Sequence, residues 1–495
     1  MAVAEDLARV PDNAVAAEDR KTPGQVKFAY SLGQAVESGY IAIAAYVFFY
    51  YTAVLGLSGS MVGVALALSM CLDAAGDPFI GSFSDGIRSR LGRRLPMMLV
   101  GAPLTLLTMG LLFSPPSGLS PFLLFAWLTL TKMGVRFFAS VFNIPYFALG
   151  GELSDGYVER AQIVAFRLLS GIIVTVLITA LAYSLFFNGP GGLQQPERYP
   201  AFGWTIAILV AVVGLISSAG VRRYASSLPQ PTAAARPVLR RLPGELLEIF
   251  RNRSFRTLFL SLLIFASAAG VSSALNAHVY VFVWKLRPET IQFLTYMFLA
   301  GILIGIPLTP PLLSRFEKKT VVLIGFGLVI GTWMVLPPLR ALGLYMPTGA
   351  AALPALLATI FVIGLGSGLI FIAYPSMMAD AADEHEELFG SRREGLYFAG
   401  LGFAGKAAAG IGLMIGGFTL DFLHFPREAG RQIGAVVPEH VLSSLIVAWG
   451  PLPAVLCMVG AAIFLPYAIT RSRQHDIAAT LKLKRAADVV AGRSS

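Results

Sequence analysis

Asp73 and Asp77 stand four residues apart, so on a helix both carboxylates face one side. Both fall in an apolar run, and two buried acids that close cannot both stay ionised cheaply without a cation between them. That is the requirement of a Na⁺ or proton site. The plainer alternative is that one acid is neutralised by Lys406 or Arg167 as a packing ion pair. Glu37, Lys132, Arg136, Arg167 and Lys406 also lie inside apolar runs. Ionisable groups within a membrane span are expensive, and by default they point to function. Lys132, Arg136 and Asn143 are spaced four and seven apart, within about 40° on a wheel of 3.6 residues per turn. Such a face must meet a polar cavity or acidic partners. Its charge has two readings: neutralisation of Glu37, Asp73 and Asp77, with Lys132 snorkelling outward, or a surplus that binds an anionic substrate.

These groups need helices to carry them. Apolar runs long enough to span a bilayer are expected near 27–51, 61–84, 96–114, 121–149, 161–187 and 203–221, and again near 256–284, 289–312, 320–338, 351–379, 394–422 and 440–469. Between the sets lies a proline- and arginine-rich linker, 222–255. The expected organisation is a polar tail (1–26, with no signal sequence), a six-helix half (27–221), the linker, a second half (256–470) and a polar, mobile tail (471–495). Six plus six spans is the hydropathy pattern of two packed halves with a substrate site at mid-depth between them. At 1.5 Å of rise per residue, Glu37, Asp73, Arg167 and Lys406 lie ~9–18 Å in from one end, at comparable depth.

Charge orients the chain. Only Arg198, Lys285, Arg287, Arg340, Arg427 and Arg431 fall in the loops of one end, whereas basic residues crowd the termini, the linker and loops such as Arg88–Arg94 and Arg315–Lys319. Positive residues mark the cytoplasmic side, so both termini are expected there. The net charge of +10 then reflects topology and an anionic inner leaflet, not nucleic-acid binding. With 56% hydrophobic and 13% charged residues and a mean hydropathy of +0.71, the chain lacks the polar surface of a soluble protein. Fifty glycines and thirty prolines suit close helix packing and broken spans. Cys71 and Cys457, both in apolar runs, predict neither a disulfide nor a metal site. No nucleophile or acid–base constellation of an enzyme is present. The one His–acid string, Asp383-Glu384-His385-Glu386-Glu387, is expected as a solvated helix end. A channel would need a continuous polar path rather than one cluster at mid-depth.

The run Asp73-Ala-Ala-Gly-Asp77-Pro78-Phe-Ile-Gly81, followed by Asp85 and Arg88-Ser-Arg90-Leu-Gly92-Arg93-Arg94-Leu-Pro96, resembles the glycoside–pentoside–hexuronide:cation symporters of the major facilitator superfamily. Similar stretches are Tyr30-Ser-Leu-Gly33, Asn143-Ile-Pro145-Tyr146, Arg167, Ala379-Asp380-Ala-Ala-Asp383 and Gly405-Lys406. The resemblance covers nearly all of 27–470. It implies an all-α membrane protein of major facilitator type, twelve transmembrane helices in two six-helix halves, that moves a small solute with Na⁺ or H⁺ and needs no cofactor. It also implies a multi-pass, monomeric protein of the plasma (inner) membrane. By the same resemblance, Asp73 and Asp77 bind the cation, Lys406 lies beside them and couples, Arg167 lines the substrate, and Ser38 and Asn143 stand at substrate positions; the charge pattern adds Glu37, Lys132 and Arg136 to the expected substrate site. Asp85, Arg88, Arg93, Arg94, Asp380 and Asp383 form a cytoplasmic gate in which loop arginines pair with the acids. The family's melibiose-type members hold sugar hydroxyls with one acid in helix 1 and one in helix 4. The matching positions here are Ser38 and Asn143, with Glu37 about 100° around the helix. That departure shifts weight towards an anionic solute such as a hexuronide. A lysophospholipid is the alternative, since some relatives of the wider group carry one; a non-transporting sensor is more remote.

Overall fold

The computed structural model describes residues 22–154, 156–226, 248–391, 393–427, 429–431 and 436–490. Most of the expected N-terminal tail (1–21), the middle of the expected linker (227–247) and the last five residues lie outside these.

Among the described residues there are no strands, and twelve helices are long and apolar enough to cross a bilayer. They are α1 (Gly24–Val54), α2 (Gly59–Gly86), α3 (Leu95–Leu112), α4 (Pro121–Glu152), α5 (Val158–Phe186), α6 (Arg198–Ser226), α7 (Arg253–Val283), α8 (Pro288–Arg315), α9 (Lys318–Ala341), α10 (Gly349–Phe389), α11 (Glu394–Phe422) and α12 (Glu439–Phe464). Helices α6 and α7 extend into both ends of the expected linker. The C-terminal segment departs from expectation. Residues Arg471–Val490 form a thirteenth helix, α13, lying on α10. It docks because Ile477 and Leu481, one turn apart, are buried in the second half's core, and Arg473 pairs with Glu387 at 2.5 Å. The acidic string 383–387 is also less solvated than expected. Helix α10 continues through it, and His385 is fully buried against Phe389 and Tyr397, with Nε2 3.5 Å from Glu248.

The two halves meet along α2 and α11 and where α1 approaches α7 and α5 approaches α8. At the end away from the arginine loop they are bonded closely. Thr52 Oγ1 lies 3.0 Å from His278 Nε2, Ser184 donates to Gln292, and Arg431 donates to the carbonyls of Val54 and Leu55. An aromatic layer of Phe48, Phe49, Phe282 and Phe425 surrounds His278 there. The α2–α11 seam runs backbone to backbone. A Cβ at Gly417 would stand 2.1 Å from the Gly59 carbonyl oxygen, and one at Gly63 2.8 Å from Met414 Cα. Asp421 closes the seam by accepting from the first N–H groups of α2, Gly59 (2.9 Å) and Ser60 (2.8 Å).

At the arginine-loop end, the pairs Arg94–Glu152 and Lys27–Glu159 stay within the first half. Lys318–Asp380 and Arg473–Glu387 stay within the second. The bonded end and the end where each half is stitched to itself are therefore opposite ends of one molecule.

Candidate transport site

Asp73 lies at mid-helix on α2, buried, with its side chain 3% exposed. Desolvating a carboxylate to that extent requires strong partners, and it has three. Ser140 donates to Oδ1 at 2.8 Å. Arg136 Nη1 lies 3.1 Å from Oδ2, and Lys406 Nζ lies 3.0 Å from the same oxygen. Lys406, reaching across from α11, also bonds Asp77. One ammonium from the second half thus bridges the two acids of the first. Pro78, inside α2, removes one ladder bond next to Asp77.

The polar network continues from Arg136, which donates to Tyr40 Oη at 3.1 Å and stacks on that ring 5.1 Å from its centroid. Tyr40 in turn donates to Glu37 Oε1 at 3.0 Å, and Asn143 Nδ2 donates to Glu37 Oε2. Seven side chains on α4, α1, α2 and α11 thereby form one unbroken sequence: Asn143, Glu37, Tyr40, Arg136, Asp73, Lys406, Asp77.

Of the two neighbouring candidates on α1, Glu37 rather than Ser38 faces Asn143. Ser38 points at α5, where its Oγ would be 2.8 Å from a Cβ on Gly171, as a 100° step on a helix demands. Lys132 does not snorkel: it is 3% exposed, and its ammonium makes no hydrogen bond or ion pair among the described residues. Arg167 stays apart from both acids of α2. Half-buried, it lies over the Phe147 ring, 4.8 Å from the centroid. The contributions of Tyr40, Ser140 and Gln34 were not apparent from the sequence, because neutral polar residues carry no signal of cost in an apolar run.

Around this network, buried polar atoms lack partners among the described residues: Gln34 Oε1, Asn143 Oδ1, Tyr146 Oη, Arg136 Nε, Arg167 Nε and Asp77 Oδ1. Most buried polar groups in folded proteins are satisfied. A cluster of orphaned donors and acceptors on α1, α4 and α5 is suited to a hydroxyl-rich ligand.

The expected gate residues divide. Arg94 binds Asp85 at 2.6 Å and Glu152 at 2.8 Å, and donates to Ser84. Arg93 binds Glu152 at 2.6 Å. Arg88 is exposed, with no hydrogen bond or ion pair among the described residues. Asp380 pairs with Lys318 at 2.6 Å, a lysine of its own half rather than a loop arginine. Asp383 lies half-buried one turn further along α10. Glu152, which holds two arginines, was missed because an acid at a helix end looks unremarkable.

Twelve spans in two halves around a mid-depth polar network define a major facilitator transporter. The chain belongs to the MFS/sugar transport protein family, which matches residues 30–471, and within it to the glycoside–pentoside–hexuronide:cation symporters. It is 27% identical to the inner membrane symporter YicJ of Escherichia coli over 88% of this chain and 90% of that protein. It is 28% identical to the E. coli glucuronide carrier protein homolog over 90% of this chain and 93% of that one. A bacterial homolog of the human lysosomal transporter Spinster shares the fold, with a TM-score of 0.62, 13% identity and coverage of 90% and 98%. The protein is a multi-pass, cation-coupled symporter and not an enzyme.

Proposed function

We propose that this symporter carries a glycoside- or hexuronide-type solute together with Na⁺ or H⁺ by alternating access. The observation that carries this reading is the unbroken sequence from Asn143 and Glu37 to Asp73 and Asp77. It joins hydroxyl-binding groups to cation-binding groups through Tyr40 and Arg136. The cation enters between Asp73 and Asp77 and displaces the Lys406 ammonium from that position. Because Lys406 belongs to the second half, ion binding and release make and break a bond between halves, which is the linkage a symporter needs. In this reading the bonded end is the outer one and both termini are cytoplasmic, as the distribution of basic residues supports.

Arg136 is committed to Asp73 and Tyr40, so Arg167 is the guanidinium available to a solute carboxylate. Charge-assisted hydrogen bonds contribute about 1.5–3 kcal/mol, and Lys cannot reproduce the planar fork. Uptake into proteoliposomes, with Na⁺ or proton gradients imposed separately, should be measured over neutral glycosides, uronides and lysophosphatidylcholine. A uronide should be the best substrate, and Arg167→Lys should raise its KM by roughly tenfold while leaving neutral glycosides nearly unchanged. Preferred uptake of a neutral sugar with an unaffected Arg167→Lys would reject the uronide reading, and preferred lysolipid uptake would reject the glycoside reading altogether.

Orientation is tested in a Cys71→Ser background. A cysteine at Ser226 should resist an impermeant thiol reagent in intact cells, whereas one at Ser117, exposed at the other end, should label. The opposite result would invert the topology.

A further inference from the structure

Helices α2 and α3 both pack on α4 but scarcely on each other. Between them, at the arginine-loop end, runs a furrow of about 560 Å³ whose walls include Phe79, Phe83, Met97, Val100 and Phe137, all apolar. It opens outward: Phe83 is 68% exposed, which on a spanning helix places it against hydrocarbon. The furrow ends at Ile87, the residue before Arg88. Of the four arginines in this loop, Arg93 and Arg94 are bound to Glu152 and Asp85. Arg88 and Arg90 are exposed and make no hydrogen bond or ion pair among the described residues.

We propose that this furrow holds an acyl chain of an anionic phospholipid whose phosphate is bound by Arg88 and Arg90. The apolar walls exclude a polar ligand from the trough. The two uncommitted guanidiniums, placed where the span leaves the membrane, supply a phosphate-matching fork and attract anionic headgroups. Their freedom follows from the loop's own division of labour, since the acids nearby are taken by Arg93 and Arg94. The site is on the outer face of one half and is separate from the transport network.

The full chain, purified in detergent and titrated with phosphatidylglycerol or phosphatidylcholine of identical chains, should bind the first more tightly by native mass spectrometry and be stabilised by it on heating. Arg88→Gln combined with Arg90→Gln should weaken phosphatidylglycerol binding on the order of tenfold and weaken phosphatidylcholine, whose phosphate is offset by its own choline, much less. Arg222→Gln, at an exposed position of the same end on α6, should change neither. Val100→Trp, which fills the furrow, should weaken both lipids. Equal binding of the two lipids by the unaltered protein would overturn the proposal, as would a double variant that behaves like the parent. An Arg222→Gln effect as large as the double variant's would show diffuse surface charge instead. Competition by inorganic phosphate alone, or insensitivity to Val100→Trp, would show an ion site with no chain in the furrow. The arginine variants remove no contact among the described residues, so their folding is not at issue.

Discussion

Proteoliposomes holding Asp77→Asn should equilibrate solute but fail to concentrate it, whichever cation gradient is imposed. The amide keeps the shape of the side chain and removes the charge that retains a cation. Asp73 still has Arg136, Ser140 and Lys406 as partners, so the variant should fold. Asp73→Asn should also abolish accumulation but cost more stability, since it leaves Arg136 and Lys406 facing one another around a neutral amide. In both variants the accumulation ratio should fall to about one, while counterflow of labelled solute persists, because exchange needs no net ion movement. Gradient-driven accumulation at the parental level in the double variant would remove these acids from the coupling site.

The second large effect is expected at Arg136. Removing one member of a buried ion pair costs about 3–5 kcal/mol, because the other charge is left uncompensated. With side chains 10% and 3% exposed, the Arg136–Asp73 pair meets that condition. Arg136→Gln should therefore lower thermal stability sharply, and adding Asp73→Asn should restore part of it, giving a non-additive double-mutant cycle. Arg136→Lys retains charge but not the geometry that reaches Tyr40 and Asp73 together, so stability should partly survive while coupling falls. Additive losses in the cycle would show that the two residues stabilise the protein independently and that Arg136 is not the link between the solute and cation groups.

Hydropathy made the twelve spans and their two sets legible, because a bilayer leaves few alternatives to a continuous apolar helix. The intramembrane charges were legible for the same reason: their cost makes them conspicuous. What the sequence did not disclose was rotation and partnership. Whether Glu37 or Ser38 faces Asn143 turns on one residue's angular step, and the sequence left both as candidates. The choice of Asp73 rather than Glu37 as the partner of Arg136 depends on how α2 leans on α4. Helix α13 was hidden by its polar composition. Its signal was the Ile477–Leu481 pair at helical spacing, outweighed by the basic residues around it. Glu152 and Lys318, partners of the expected gate residues, became visible only when loops distant in sequence met at one end.

The α2–α11 seam bears on speed as well as shape. Where Gly59 and Gly63 meet Met414 and Gly417, the halves touch through backbone, and no interdigitated side chains must be withdrawn for them to part. At one end of that line the Asp421 carboxylate holds the first N–H groups of α2, an arrangement of the kind worth about 0.5–2 kcal/mol at a helix N-terminus, and deeper in, Lys406 holds Asp73 and Asp77. Opening that end must also part Thr52 from His278, Ser184 from Gln292 and Arg431 from the carbonyls of Val54 and Leu55, so the smooth seam spares only the cost that interlocked side chains would add.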